Sequence, residues 1–501
     1  MKAVELEEEF KPRFAQIDAT EVFKHLHLGN TEKMERELRK IPEEERDEVK
    51  KLIEDYKSER FTSLRDVYQV FDKWLEFKDR KRIDVMLATA LSNKAPELEP
   101  IWLILVGPSG DGKTEQVKAL KDPLEDSDIP DEAETKRISE ITQNTLVSGQ
   151  VGESFDLAPK VEGKLILIYD FATILNLPSD AKRKVWSQLR ELYDGQIGKQ
   201  AGSGKDVDYT LDPAPSLIAC STPDIDNQLI KKDKLGTREL LYRTEQKTPE
   251  EIDNILDKVL ENHESMKEMR EELRSVVRDF LDRKEVNTEL DVPKEIEEKL
   301  KAKAKRLSIM RAQGDFDRYS NELMRQVNME TPSRLVNQFK TIYTALLSLS
   351  PDYPPERALK VIDKIAASSG EQRREQVFQE LKSCNETTVY QISQKLKVSR
   401  KMIDRDLQVL WNLDYVEKRT KETDNGETTL WSLSDKAEEL IPERENPRSK
   451  ILDTLDENGP IPYSEVLENT EADEQTAEKS INHLLDEGEI FEPEAGKLDK
   501  L

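Results

Sequence analysis

Residues 101–114, IWLILVGPSGDGKT, restrict what this chain can become more than any other stretch. Six apolar residues, Ile101 to Val106, predict a strand buried on both faces. They run into Gly107, Pro108, Ser109, Gly110, Asp111, Gly112, Lys113 and Thr114, which fit G-x-x-x-x-G-K-[ST]. In that pattern the glycines let backbone N–H groups turn inward around phosphates. Lys113 reaches the β/γ-phosphates, and Thr114 holds Mg²⁺. A helix expected over 115–121 points its positive end at the same anion. The competing reading, a plain glycine turn, would rarely fall between a buried strand and a helix start. The stretch therefore reads as a site for ATP and Mg²⁺.

The surrounding segment, 96–247, alternates strands and helices and predicts a mainly parallel α/β sheet. Residues 165–169, LILIY, form a second buried strand, expected beside the phosphate-loop strand and ending at Asp170. An aspartate leaving such a strand suits the Mg²⁺-holding role; the other reading is a cap on the next helix. Phe171 follows, where many such ATPases place a glutamate that activates water, and Glu140 and Glu191 are candidates to replace it. A helix over 181–193 leads into glycine-rich residues 194–206. With Ile197 and Val207/Tyr209 on its flanks, that stretch predicts an inserted β-hairpin carrying Lys199 and Lys205. The hairpin is read either as a DNA grip or as a solvated surface feature. A strand over 216–220 ends at Ser221-Thr222-Pro223, a polar pair at the level of a γ-phosphate. In LGTRELLYR, Arg238 and Arg243 are of the type that stabilises phosphoryl charge, or that forms surface salt bridges.

The flanks complete the expected plan. Residues 1–95 are charged and helical in pattern; Ser63 is placed to cap a helix carrying Val67, Val70, Phe71 and Trp74. Residues 248–368 read as a helical lid that opens on a Thr248-Pro249-Glu250-Glu251 capping box. Arg334 sits in the first turn of a lid helix, where a cation opposes the dipole and hints at an anion partner. Residues 371–441 predict helix, turn, helix and hairpin, a winged helix whose Asp424-Asn425-Gly426 is a strong hairpin signal. Its recognition helix carries Ser399, Arg400, Lys401, Arg405 and Gln408, able to reach phosphates and base edges; protein docking is the alternative. A second copy over 447–501 has an acidic recognition helix, 474–485, which favours protein contact.

Charge limits how DNA can be bound. With 78 Lys+Arg against 104 Asp+Glu the net charge is −26, so DNA contact must come from local basic clusters. The two cysteines, Cys220 and Cys384, lie far apart with no zinc or disulfide spacing, which fits a reducing cytoplasm. The four histidines form no recognisable metal or catalytic set, and no stretch is long and apolar enough for a membrane span.

In this order the landmarks resemble the AAA+ ATPases of the pre-sensor-1 β-hairpin group, and within it the MCM helicases. LRELYDGQIGKQAGSG followed by SLIACSTP is similar to their helix, inserted hairpin and sensor-1 strand. The final FEPEAGKLDKL is similar to the end of archaeal MCM winged helices. DFATIL, LYDG and LG-x-R also resemble phage and plasmid ATPases that share this core. The resemblance implies Thr222 as sensor 1, Arg238 as the arginine finger and Arg334 as sensor 2. It also implies a homo-oligomeric ring, most simply a hexamer, working as an ATP-driven DNA helicase or translocase in replication. The alternatives are an ATP-switched initiator or loader, or a DNA-binding regulator that barely hydrolyses ATP.

Overall fold

The computed structural model describes residues 63–76, 79–127, 129–148, 156–199, 206–226, 238–245, 247–317, 319–384, 386–423, 426–438 and parts of 451–500. They form two compact units. The first takes the chain up to Val292 and again over Ser333–Ser369; the second takes Pro293–Pro332 and Gly370–Leu501.

The first unit opens with α1 (Leu64–Trp74), started by the expected cap. Ser63 Oγ accepts from Asp66 N at 3.3 Å, and the Asp66 carboxylate accepts from Ser63 N at 3.3 Å. Val67, Val70, Phe71 and Trp74 form its buried face. Almost every residue from Arg82 onward is buried in α2 (Arg80–Ser92), including the charged Arg82 and Asp84. The phosphate-loop strand, β1 (Trp102–Val106), is buried throughout, as its unbroken apolar run requires. After α3 (Lys113–Lys118) come β2 (Thr135–Arg137), β3 (Leu165–Ile168), α4 (Ala172–Leu175) and α5 (Ser179–Tyr193). The expected hairpin follows: β4 (Gln196–Lys199) pairs antiparallel with β5 (Val207–Thr210), Ile197 facing Tyr209. The chain then returns to the sheet with β6 (Leu217–Ser221) and β7 (Glu239–Arg243).

The sheet has five strands in the order β2-β3-β6-β1-β7, all parallel. One adjacency differs from expectation. β6 stands between β1 and β3, pairing Ile218 with Leu103 on one side and with Leu167 on the other. Its buried residues Leu217 to Ser221 suit a central strand, so the strand leading to Asp170 is one place removed from the phosphate loop.

Beyond β7, α6 (Pro249–Glu261) begins with the predicted Thr248–Glu251 capping box, and α7 (Met266–Leu281) follows. The helices of 248–368 are divided between the units. α8 (Lys294–Arg311) belongs to the second unit, while α9 (Ser333–Ser348) and α10 (Pro355–Ser369) return to the first. There the Ser369 and Ser368 hydroxyls accept from the edge-strand amides of Leu241 and Arg243, at 2.7 and 3.1 Å.

In the second unit the end of α8 is held by Arg374 of α11 (Gln372–Lys382). The Arg374 guanidinium is buried and donates to the carbonyls of Met310 (2.8 Å) and Ala312 (2.6 Å), acceptors that a helix end leaves without partners. Then come α12 (Val389–Leu396), a left-handed Lys397, α13 (Arg400–Asn412), the antiparallel pair β8 (Val416–Thr423) and β9 (Gly426–Leu433), and α14 (Asp435–Glu438). Ile309, Phe378, Ile392, Ile403, Leu407 and Trp431 share one core, which is why α8 sits here. Between α8 and α9 the chain doubles back, with bridges Gln313–Asn328 and Phe316–Leu323. A separate small core, including Ile451, Leu455 and Ile481, lies with a sheet of β10 (Ile461–Pro462), β11 (Ile490–Glu494) and β12 (Lys497–Lys500). Most of the expected acidic helix over 474–485 lies outside the described residues. Among the described residues no helix is long and apolar enough to cross a membrane.

Candidate functional site

In the first unit the C-terminal ends of β1, β6 and β3 open into a cleft of about 880 Å³. Ser109 to Thr114 line it, together with Asp170, Thr222 and Asp224. Gly110 and Gly112 hold positive φ, +82° and +75°, which turns the loop as the motif requires. Gly107 is needed for space instead, because a Cβ there would lie 2.1 Å from Thr244 Oγ1. That hydroxyl is buried without a hydrogen-bond partner. Gly107→Ala is therefore expected to cost about 1–3 kcal/mol by overpacking. Adding Thr244→Ala should recover much of it, read as melting temperatures of the three variants.

Lys113 is buried and donates from Nζ to the carbonyls of Gly107 (2.9 Å) and Pro108 (2.6 Å). Burial holds its pKa below the usual lysine range, against the attraction of Asp111. The loop itself is clamped from behind. Asp111 accepts from Arg82 NH1 at 2.8 Å and pairs with Lys247. Burial alone would raise the Asp111 pKa, but Arg82 and Lys247 outweigh it and hold the carboxyl below its ordinary range. Next to Thr114, burial pushes the Cys220 thiol up to about 12. Glu115 is engaged by Arg270 of α7, at 2.7 and 2.9 Å, and by Lys118.

Asp170 takes up the cap position of its second reading. It is exposed at the cleft and its Oδ1 accepts from Ala172 N at 3.0 Å, capping the short α4. The donor set suits Mg²⁺, since Thr114 and Asp170 bring hard oxygens to one cleft and such an ion takes few protein ligands. Phe171 is buried, with its ring edge-on to Trp186 at 5.5 Å. Neither Glu140 nor Glu191 is among the described residues lining the cleft.

The far end of the cleft is a wall the sequence reading missed. It comprises Trp74 and Leu75 at the end of α1, and Ile255, Val259, Met266 and Met269 from α6 and α7. Asn262 ties it together, donating to the Trp74 carbonyl at 3.0 Å. An apolar slot ending at a phosphate loop has the form of a nucleotide pocket, with ring at one end and phosphates at the other. The apolar face of α1 and the start of α6 were legible in the sequence; their convergence on the loop was not.

Arg238 and Arg334 come together, but away from this cleft. Their guanidinium carbons each stand 6.0 Å from the Tyr193 ring centroid, and Arg238 NH2 donates to Asp194 Oδ2 at 2.6 Å. Neither is among the described residues lining the cleft. Lys199 is not a free cation at a hairpin tip. It is half-buried, with Nζ donating to Asn144 Oδ1 (2.8 Å), Ser148 O (3.0 Å) and Val147 O (3.4 Å). Lys205 lies outside the described residues.

On α13, Ser399, Arg400 and Lys401 are exposed as expected, with Arg400 over the Tyr390 ring at 4.4 Å. Arg405 departs from that expectation. The doubled-back segment after α8 lies on its stripe of the helix. Arg405 Nε donates to Asn321 Oδ1 (2.6 Å), Asn321 Nδ2 to Asp404 Oδ2 (2.8 Å), and Gln408 Nε2 to Asn321 O (3.2 Å). Asn412 Oδ1 accepts from Val327 N at 3.0 Å farther along. Two turns of the expected reading face are therefore covered by the same unit. On the hairpin, Lys418 stands 3.5 Å from the Trp411 ring centroid.

No protein-family model matches this chain, and no curated protein does. Among solved structures it is similar to the A form apo structure of the NrS-1 C terminal region, at 14% identity over 74% of this chain and 75% of that one, with a TM-score of 0.25. The apo structure of the NrS-1 C terminal region (305-718) gives 13% identity, the same coverage and a TM-score of 0.25. A likeness of that size bears on no functional residue of this chain.

Proposed function

We propose that this chain is an AAA+-type ATPase that acts on DNA in replication, as a helicase or translocase. One observation carries the reading: Lys113, Thr114, Asp170 and Thr222 line a single cleft at the C-terminal ends of parallel strands, with an apolar slot beyond. ATP would place its phosphates on the loop amides, with Lys113 exchanging its present carbonyl partners for phosphate oxygens. Mg²⁺ held by Thr114 and Asp170 would neutralise charge on the β- and γ-phosphate oxygens. Thr222, just past the end of β6, which lies between β1 and β3, is suited to sensing the γ-phosphate.

The position of Arg238 and Arg334 favours a ring. Two guanidiniums beside Tyr193 serve no phosphate in their own cleft, so their phosphoryl role belongs in the site of a neighbouring copy. Six copies is the number the family resemblance suggests. DNA contact falls to the winged-helix arrangement of α12, α13, β8 and β9, through Ser399, Arg400, Lys401 and the hairpin cations Lys418 and Arg419. The second winged helix is left for protein partners.

A second reading, an ATP-switched initiator or regulator, is favoured by Phe171 and by the three hydrogen bonds that commit Lys199. Strand displacement on forked DNA, with ATP turnover measured in parallel, separates the two. A motor is expected to unwind the fork and to hydrolyse ATP faster when DNA is added. Tight ATP and DNA binding with no displaced strand would transfer the assignment to the switch.

A further inference from the structure

The first unit presents an ATP cleft in which the customary position for a water-activating carboxylate holds a buried phenylalanine. We propose that Asp224 does this work, an inference that rests on the ATPase reading above. Among the described residues lining the cleft, the carboxylates are Glu76, Asp111, Glu115, Asp170 and Asp224. Glu76 follows α1, at the apolar end. Asp111 is spent on Arg82 and Lys247, and Glu115 on Arg270 and Lys118. Asp170 caps α4 and is the residue suited to the metal. Asp224 is exposed, and its Oδ2 meets Thr222 Oγ1 only at 3.5 Å.

Its place in the fold is equally specific. β6 lies between the strands that lead to the phosphate loop and to Asp170, and Asp224 comes three residues after its last member, Ser221. The turn is held firmly. Ile225 N donates to Thr222 O at 3.2 Å, Asp226 N donates to Pro223 O at 3.1 Å, and the Ile225 side chain is fully buried in the sheet core. Arg243, at the end of β7, donates to the Asp226 carboxylate at 3.0 Å and to Ser368 O at 2.9 Å. A carboxylate on a fixed turn, its one bond a long one from Thr222 Oγ1, is suited to orient a water. In the step assigned to it, the water oxygen bonds to the γ-phosphorus as the bond to the β,γ-bridging oxygen breaks. The water proton passes to the Asp224 carboxylate and later to solvent, and the products are ADP and inorganic phosphate.

The test uses the full chain and Asp224→Asn, with Glu140→Gln and Glu191→Gln as comparisons. ATP turnover, affinity for a fluorescent ATP analogue with Mg²⁺, and the identity of the retained nucleotide are all measured. Asp224→Asn is expected to lose about 10²–10⁴-fold in turnover, the range of a lost general base, and to retain unhydrolysed ATP. Its affinity for the analogue should match the wild type, and both glutamate variants should turn over normally. Wild-type turnover by Asp224→Asn would overturn the proposal, as would its transfer of the lesion to Glu140→Gln or Glu191→Gln. A wild-type chain that binds ATP without hydrolysing it would sink Asp224 alone; one that binds no ATP would sink the ATPase reading as well.

Discussion

Lys113→Ala should abolish ATP turnover, by at least about 10²–10³-fold, while the protein stays folded. The ammonium lies against the loop's own carbonyls of Gly107 and Pro108, where charge would develop on the β- and γ-oxygens. Its removal should not weaken the fold. Burial already lowers the Lys113 pKa, so its native surroundings favour the charged form less than water does. The melting temperature is therefore expected to hold or rise as turnover disappears. Unchanged turnover in the purified variant would show that this loop is not the phosphate site.

The largest loss of stability is expected from Asp111→Asn. The substitution keeps the shape of the side chain and removes the charge that Arg82 faces. Arg82 is 1% exposed and cannot reach water, whereas Lys247 can turn outward. Removing the charge of one member of a buried ion pair costs about 3–5 kcal/mol, enough to lower a melting temperature by about 10 °C. Adding Arg82→Met should restore most of that, since an apolar side chain in place of the ion pair is near neutral. The pH dependence has a definite sign. The folded Asp111 pKa lies below its unfolded value, so the pair's contribution is complete above about pH 4 and lost as acid approaches the lowered folded value. Asp111→Asn melting with the wild type would mean the clamp contributes nothing in solution.

Both predictions act on one loop, and only part of that loop's setting was legible in the sequence. The strand, the glycines and Lys113 could be read because their spacing is local, as could the Ser63 and Thr248 caps and the β4–β5 hairpin. Asp111 read only as a member of the phosphate loop, because its partners Arg82 and Lys247 come from α2 and from the stretch after β7. The position of β6 between β1 and β3 is likewise a pairing choice that no apolar run announces. Residues 248–368 read as one helical lid, but the place of α8 is decided by Arg374 and by the core around Phe378. Lys199 shows the same limit from another side. Glycines nearby predicted the hairpin, while the three acceptors that hold its ammonium lie about 50 residues earlier.

The segment folded over α13 has a thermodynamic consequence for anything that reads that helix. Asn321 occupies the hydrogen-bonding groups of Asp404, Arg405 and Gln408, so an incoming base edge or phosphate competes with an attached rival rather than with water. The measured dissociation constant is then the intrinsic one divided by the fraction of molecules in which Asn321 has let go. If that fraction is about 1%, binding weakens about 100-fold without any contact to the ligand being altered. Any affinity for this face would thus be set in part by a residue some 80 positions upstream, and a change that loosens Asn321 is expected to tighten binding at Arg405.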